Sequence, residues 1–77
     1  MQERSEPTTA ELHLASRALE ARLRDEIRTY ETRYELQSAE LEAALRRGDI
    51  RETAEVAQWV IAYRTLRGLT DEREARR

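Results

Sequence analysis

Apolar residues recur at Leu12, Ala15, Leu19, Leu23, Ile27, Tyr30 and Tyr34, with three or four residues from each to the next. This spacing lays one stripe along one face of a helix. The positions between are mostly Arg, Glu and Asp. Thr8 with Glu11 three residues later forms a capping-box pattern, so the helix starts near Thr9. Pro7 falls before the cap, where it does no harm. Glu20 and Arg24 form an i,i+4 pair expected on the outer face. The stretch from Leu12 to Tyr34 alone would be about 35 Å long.

After Tyr34 the apolar pattern resumes in a new phase. A tight turn is expected at residues 35 to 38, with one continuous bent helix as the alternative. Ser38 is a capping residue type, and Gln37 with Glu40 is a weaker box. A short second helix follows from Ala39 to Arg47, apolar at Leu41, Ala44 and Leu45. Arg46 and Arg47 suit the negative end of its dipole, and Gly48 supplies a left-handed C-cap. Ile50 is expected to tuck against the helices. Thr53 caps a third helix from Ala54 to Arg67. Its apolar face is Val56, Trp59, Val60, Tyr63 and Leu66, widened by Ala57, Ile61 and Ala62. Gly68 closes it, and Leu69 packs back.

The expected fold is all-α: a long N-terminal helix with two shorter helices folded back on it, forming a helical homodimer. Residues 1–7 read as a disordered segment, 8–69 as a three-helix domain, and 70–77 as a charged tail extending at most as frayed helix. The third helix, at about 21 Å, is too short to cover the first. Leu12, Ala15, Leu19 and Leu23 are therefore expected to lack intramolecular cover and to meet a partner.

Composition narrows the possibilities. Seventy-seven residues make one domain, and a chain of this size buries only about 60% of its unfolded surface. Regular packing, a partner or an oligomer must supply the rest. No Cys and a single His leave almost no basis for structural zinc. A net charge of −2 argues against a dedicated nucleic-acid binder. Every basic residue is Arg. Arg pairs well with carboxylates at interfaces, although a GC-rich genome explains the bias more simply. The longest apolar run, Trp59 to Tyr63, cannot span a membrane. The N-terminus is polar and acidic, unlike a signal peptide. A soluble, cytoplasmic protein is expected.

Catalytic chemistry finds no constellation. His13 sits beside the stripe with Ser16 nearby and no third partner. Glu11 and His13 lack the Glu-x-x-His spacing of helical metal sites. The two Gly residues stand alone, so no phosphate cradle is present. No catalytic residue, metal or cofactor is expected. Tyr30, Tyr34, Trp59 and Tyr63 make up the aromatic content. An antiparallel return of the third helix brings these pairs together, as a small core or as an interface hot spot, with the core favoured.

Several segments carry a resemblance: Arg28-Thr29-Tyr30-Glu31-Thr32-Arg33-Tyr34, Leu36-Gln37-Ser38-Ala39-Glu40-Leu41, Arg47-Gly48-Asp49-Ile50, and Val56-Ala57-Gln58-Trp59-Val60-Ile61-Ala62-Tyr63. Over residues 19 to 69 the chain resembles small helical bacterial and archaeal proteins treated as antitoxin-like partners in type II toxin–antitoxin pairs. Their pattern is a tyrosine-ended helix, a Gly before an acidic turn, and a Trp-x-x-x-Tyr third helix. This chain departs from it at Glu35, where Gly is common, and at Leu41, where Phe is. The resemblance implies a non-enzymatic interaction module that neutralises a partner toxin by binding it. Leu12, Ala15, Leu19, Leu23, Trp59 and Tyr63 are the expected partner-binding residues. A structural homodimeric subunit or scaffold is the alternative.

Overall fold

The computed structural model describes residues 8–75. The expected disorder of residues 1–7 lies outside the described residues, as do residues 76–77. Three helices follow in order: α1 Thr9–Tyr34, α2 Ser38–Arg47 and α3 Ala54–Ala75. The described chain is all-helical, with α1 packed against α3 and α2 packed on α3.

The capping box forms as the sequence predicts. The Glu11 backbone N–H donates to Thr8 Oγ1 at 3.2 Å, and the Thr8 N–H donates to Glu11 Oε2 at 3.2 Å. The helix then runs 26 residues, about 39 Å. It stops at Glu35, which takes the left-handed conformation with φ 50°. The backbone N–H groups of Glu35 and Leu36 both return to the Glu31 carbonyl. The turn is real, and the single bent helix is excluded. A non-Gly residue in this region costs about 1–2 kcal/mol.

The start of α2 is capped differently from the expectation. Gln37 is the N-cap and its side chain makes no capping bond. The Glu31 carboxylate on α1 accepts the Ser38 N–H at 2.8 Å instead. Ser38 is the first residue of α2, and its hydroxyl is used in the core. At the other end, Gly48 takes φ 78°. The Gly48 N–H reaches the Leu45 carbonyl at 3.1 Å, and the Asp49 N–H reaches that of Ala44 at 2.9 Å. Thr53 caps α3 through the Val56 N–H at 3.1 Å.

The core gathers Ile27 and Tyr30 from α1, Leu41 from α2, and Val56, Trp59, Ala62 and Leu66 from α3. Trp59 is its centre, with no exposed surface. Tyr30 and Tyr34 stack on the indole, with ring centroids 5.8 Å and 5.5 Å away. The indole N–H donates to the buried Ser38 Oγ at 2.7 Å. One side chain thus ties all three helices together. Ile50 packs on this cluster as expected, but Ile61 does not widen it and is 63% exposed on the outer side of α3. An α-helix cannot bury a continuous run such as Trp59 to Tyr63 when neighbours cover only one side.

Burial pushes the Tyr30 phenol above its ordinary pKa, and the adjacent Glu26 carboxylate, accepting its O–H at 3.4 Å, adds to the shift. The folded chain therefore holds this proton more tightly than the unfolded chain. Stability is complete below about pH 10 and falls as pH rises through that range, because the unfolded state deprotonates first. The chain has no Lys and no Cys to obscure the Tyr30 transition. Urea midpoints measured from about pH 9 to 11 should show this decline, and Tyr30→Phe should flatten it. Ser38→Ala leaves the buried indole N–H without an acceptor. It should cost about 1–3 kcal/mol in urea unfolding followed by the single tryptophan's fluorescence.

Candidate interaction surface

Helix α3 runs antiparallel to α1, and named contacts fix their register. Near the start of α3, Glu55 pairs with Arg33 and accepts the Tyr34 hydroxyl at 3.3 Å. Trp59 follows between Tyr30 and Tyr34. Near the end of α3, Arg73 donates to Glu20 Oε2 at 2.8 Å.

This last contact corrects two expectations. Gly68 does not end α3, and the charged stretch through Ala75 forms its last turns. A Gly inside a helix costs only about 1 kcal/mol relative to Ala, too little to break a helix docked on a neighbour. The Thr70 hydroxyl bonds back to the Leu66 and Arg67 carbonyls. Glu20 is also not on the outer face. It is buried against α3 at 7% exposure, with Arg24 at 3.8 Å and Arg73 closer. Its Oε1 is buried without a hydrogen-bond partner. Where α1 and α3 meet here, an ion pair replaces the apolar contact of the other end.

The stripe of α1 is consequently divided. Ile27 and Tyr30 are buried, while Leu23 and Tyr34 are half-buried against the core. Leu23, expected to lack intramolecular cover, packs against the core. Leu12 is 53% exposed and Leu19 40% exposed, and Ala15 between them is exposed too. Leu14, which lies off the stripe, is 66% exposed. Arg73 stands at Glu20, so the two described residues beyond it bring α3 to about the level of Ala18. The turns from Thr9 to Arg17 extend past the end of α3.

The two aromatic site residues fall on the core side. Trp59 has no exposed surface and cannot touch a partner of the folded chain. Tyr63 is half-buried, with the Arg67 guanidinium 5.9 Å above its ring. His13 is exposed on α1. Among the described residues no group of three or more His, Cys, Asp or Glu could hold a metal ion, and no helix is long and apolar enough to cross a membrane.

The grooves flanking α3 are open to solvent, and each carries one ion pair between facing helices. Between α1 and α3, Glu55 holds Arg33 and Tyr34. Between α2 and α3, Glu42 holds Arg64 at 2.7 Å. The large apolar side chains exposed on the described surface are Leu12, Leu14 and Leu19 of α1 and Ile61 of α3. Sequence periodicity located Leu12 and Leu19. It missed the Glu20–Arg73 contact, because an ion pair 53 residues apart leaves no local signal. Comparison with protein-family models, curated proteins and solved structures finds no match to this chain.

The buried carboxylate makes the clasp testable. Arg73→Ala leaves Glu20 with only the 3.8 Å contact to Arg24 and should cost about 1–2 kcal/mol in urea unfolding, less than a fully buried pair because Arg73 is half exposed. Replacing both residues by Leu should restore stability to wild type or above.

Proposed function

We propose that the protein is a non-enzymatic protein–protein interaction module, antitoxin-like, that neutralises a toxin by occluding it in the cytoplasm. One observation carries this reading: Leu12, Ala15 and Leu19 are exposed on a stretch of α1 that runs past the end of α3. An amphipathic helix presented this way suits a hydrophobic groove on another protein, read through anchors three, four and seven residues apart. Leu12, Ala15 and Leu19 have that spacing. Burying a Leu side chain contributes about 1.5–3 kcal/mol, so two of them supply a useful share of a specific contact. The resemblance of residues 19 to 69 to antitoxin-like proteins is the reason for proposing a toxin as the partner.

In this mechanism the core around Trp59 is a rigid base and the start of α1 is the probe. Occlusion requires no bond to form or break. A structural homodimeric subunit or scaffold is the second reading, favoured by the self-matching order of residues along the same face.

The test is co-expression with the product of the adjacent gene. Wild-type protein should rescue growth, and a Leu12→Asp, Leu19→Asp variant with unchanged helicity and thermal unfolding should not. Rescue by that folded variant would contradict the assignment of this face.

A further inference from the structure

We propose that the start of α1 pairs antiparallel with the same segment of a second copy, so that the unbound protein is a reversible homodimer. In this pair Leu12 of each copy sits between Leu19 and Leu23 of the other. The proposal does not depend on which foreign protein the face also binds.

The first argument is lack of cover. Thr9 to Arg17 extend past the last described residue of α3, and isolated helical turns of that length are marginal in water. A helix carrying Leu12 and Leu19 gains order when those side chains are covered.

The second argument is the order of residues, which matches itself when reversed. Let the two segments run antiparallel with the two-fold axis passing between Ser16 and Arg17. Leu12 then falls between Leu19 and Leu23 of the second copy, as a knob between two residues one turn apart. Ala15 falls near the axis, where its small side chain permits close approach. Glu11 and Arg22 are eleven residues apart, three helical turns, and so share one edge of the helix. Antiparallel pairing places Glu11 of each copy level with Arg22 of the other. Glu11 uses one carboxylate oxygen in the capping box, and Arg22 has no ion pair among the described residues. In a parallel pair the same edges of the two helices lie on opposite sides of the seam, so Glu11 and Arg22 would not meet. The charge pattern therefore selects the antiparallel arrangement.

The third argument is continuity with the existing hairpin. Glu26, Tyr30 and Gln58 line one side of the α1–α3 seam. Leu19 lies seven residues before Glu26 and Leu69 eleven after Gln58, so helical periodicity carries that side along to both leucines. Leu69 is half-buried. Two hairpins joined there form a four-helix arrangement with a second apolar layer of Leu12, Leu19, Leu23 and Leu69 from each copy. About fifteen residues of helix per copy fall short of the roughly 800 Å² per partner typical of stable interfaces. The dimer is therefore concentration-dependent rather than obligate, and a foreign partner competes with the second copy for the same leucines.

Sedimentation equilibrium of the full chain, from about 1 μM to 1 mM, should show a monomer–dimer equilibrium. Arg22→Glu should weaken it roughly tenfold by turning two exposed attractions into repulsions. Leu19→Glu should abolish it, with Trp59 fluorescence unchanged. The chain has no Cys, so single cysteines report register cleanly. A mixture of Leu12→Cys and Leu19→Cys chains should cross-link on oxidation, and Leu12→Cys alone should not. A monomer at every concentration would overturn the proposal, as would efficient linking of Leu12→Cys to itself. Loss of rescue by Leu19→Glu in a wild type that sediments as monomer would remove self-pairing and keep the partner reading. Rescue by a monomeric Leu19→Glu would do the reverse.

Discussion

The contact on which the rest depends is the buried indole of Trp59. Its faces lie against Tyr30 and Tyr34 of α1, and its N–H is held by Ser38 at the start of α2. A chain this short has little apolar surface to bury, so one large side chain contacting three helices carries much of the packing. The polar end of the indole matters as much as its area. Ser38 Oγ accepts from Trp59 while the Ser38 N–H donates to Glu31, so the buried polar groups of this junction satisfy one another. The geometry of the α1–α2 turn, including the strained Glu35, is what brings Ser38 to the indole.

From that anchor the molecule becomes less apolar along its length. Close to Trp59, the α1–α3 contact is aromatic and aliphatic. Two turns away it consists of Leu23 and Leu66, and at its far end of a buried Glu20 held by Arg73. Buried ion pairs contribute little net stability because desolvation offsets their attraction. The far end is thus matched in charge but weakly held, and beyond it α1 continues without a described neighbour. A firm base and a loosely supported helical start suit a protein that orders its recognition segment on contact, through a second copy or a foreign partner.

Much of this was legible in the sequence. Period alone located α1, and the cap signals of Thr8, Gly48 and Thr53 gave correct ends. The pairing of tyrosines with Trp59 followed from an antiparallel return. The misreadings share one cause, which is that local signals do not report tertiary contacts. Gly68 has the sequence character of a helix stop, yet α3 passes through it and docks through Arg73. Glu20 reads as an outer-face residue because it is charged, and α3 buries it. Gln37 and Ser38 read as a capping pair, but Glu31 does the capping and Ser38 serves Trp59. Trp59 could be read as core or hot spot from its type alone, and only packing assigns it to the core. Leu12 and Leu19 were legible as exposed because the expected third helix was too short to reach them. Leu23 was the exception, since it packs against the core cluster.

The central claim is that α1 is one continuous helix with two unequal halves, one fixed by Trp59 and one awaiting a partner. Amide hydrogen exchange resolved along α1, at two protein concentrations, tests this most directly. The account predicts strong, concentration-independent protection from Ile27 to Tyr34. From Leu12 to Leu19 it predicts weak protection in dilute solution that rises with concentration. Equal protection of both halves, unchanged by dilution, would contradict it.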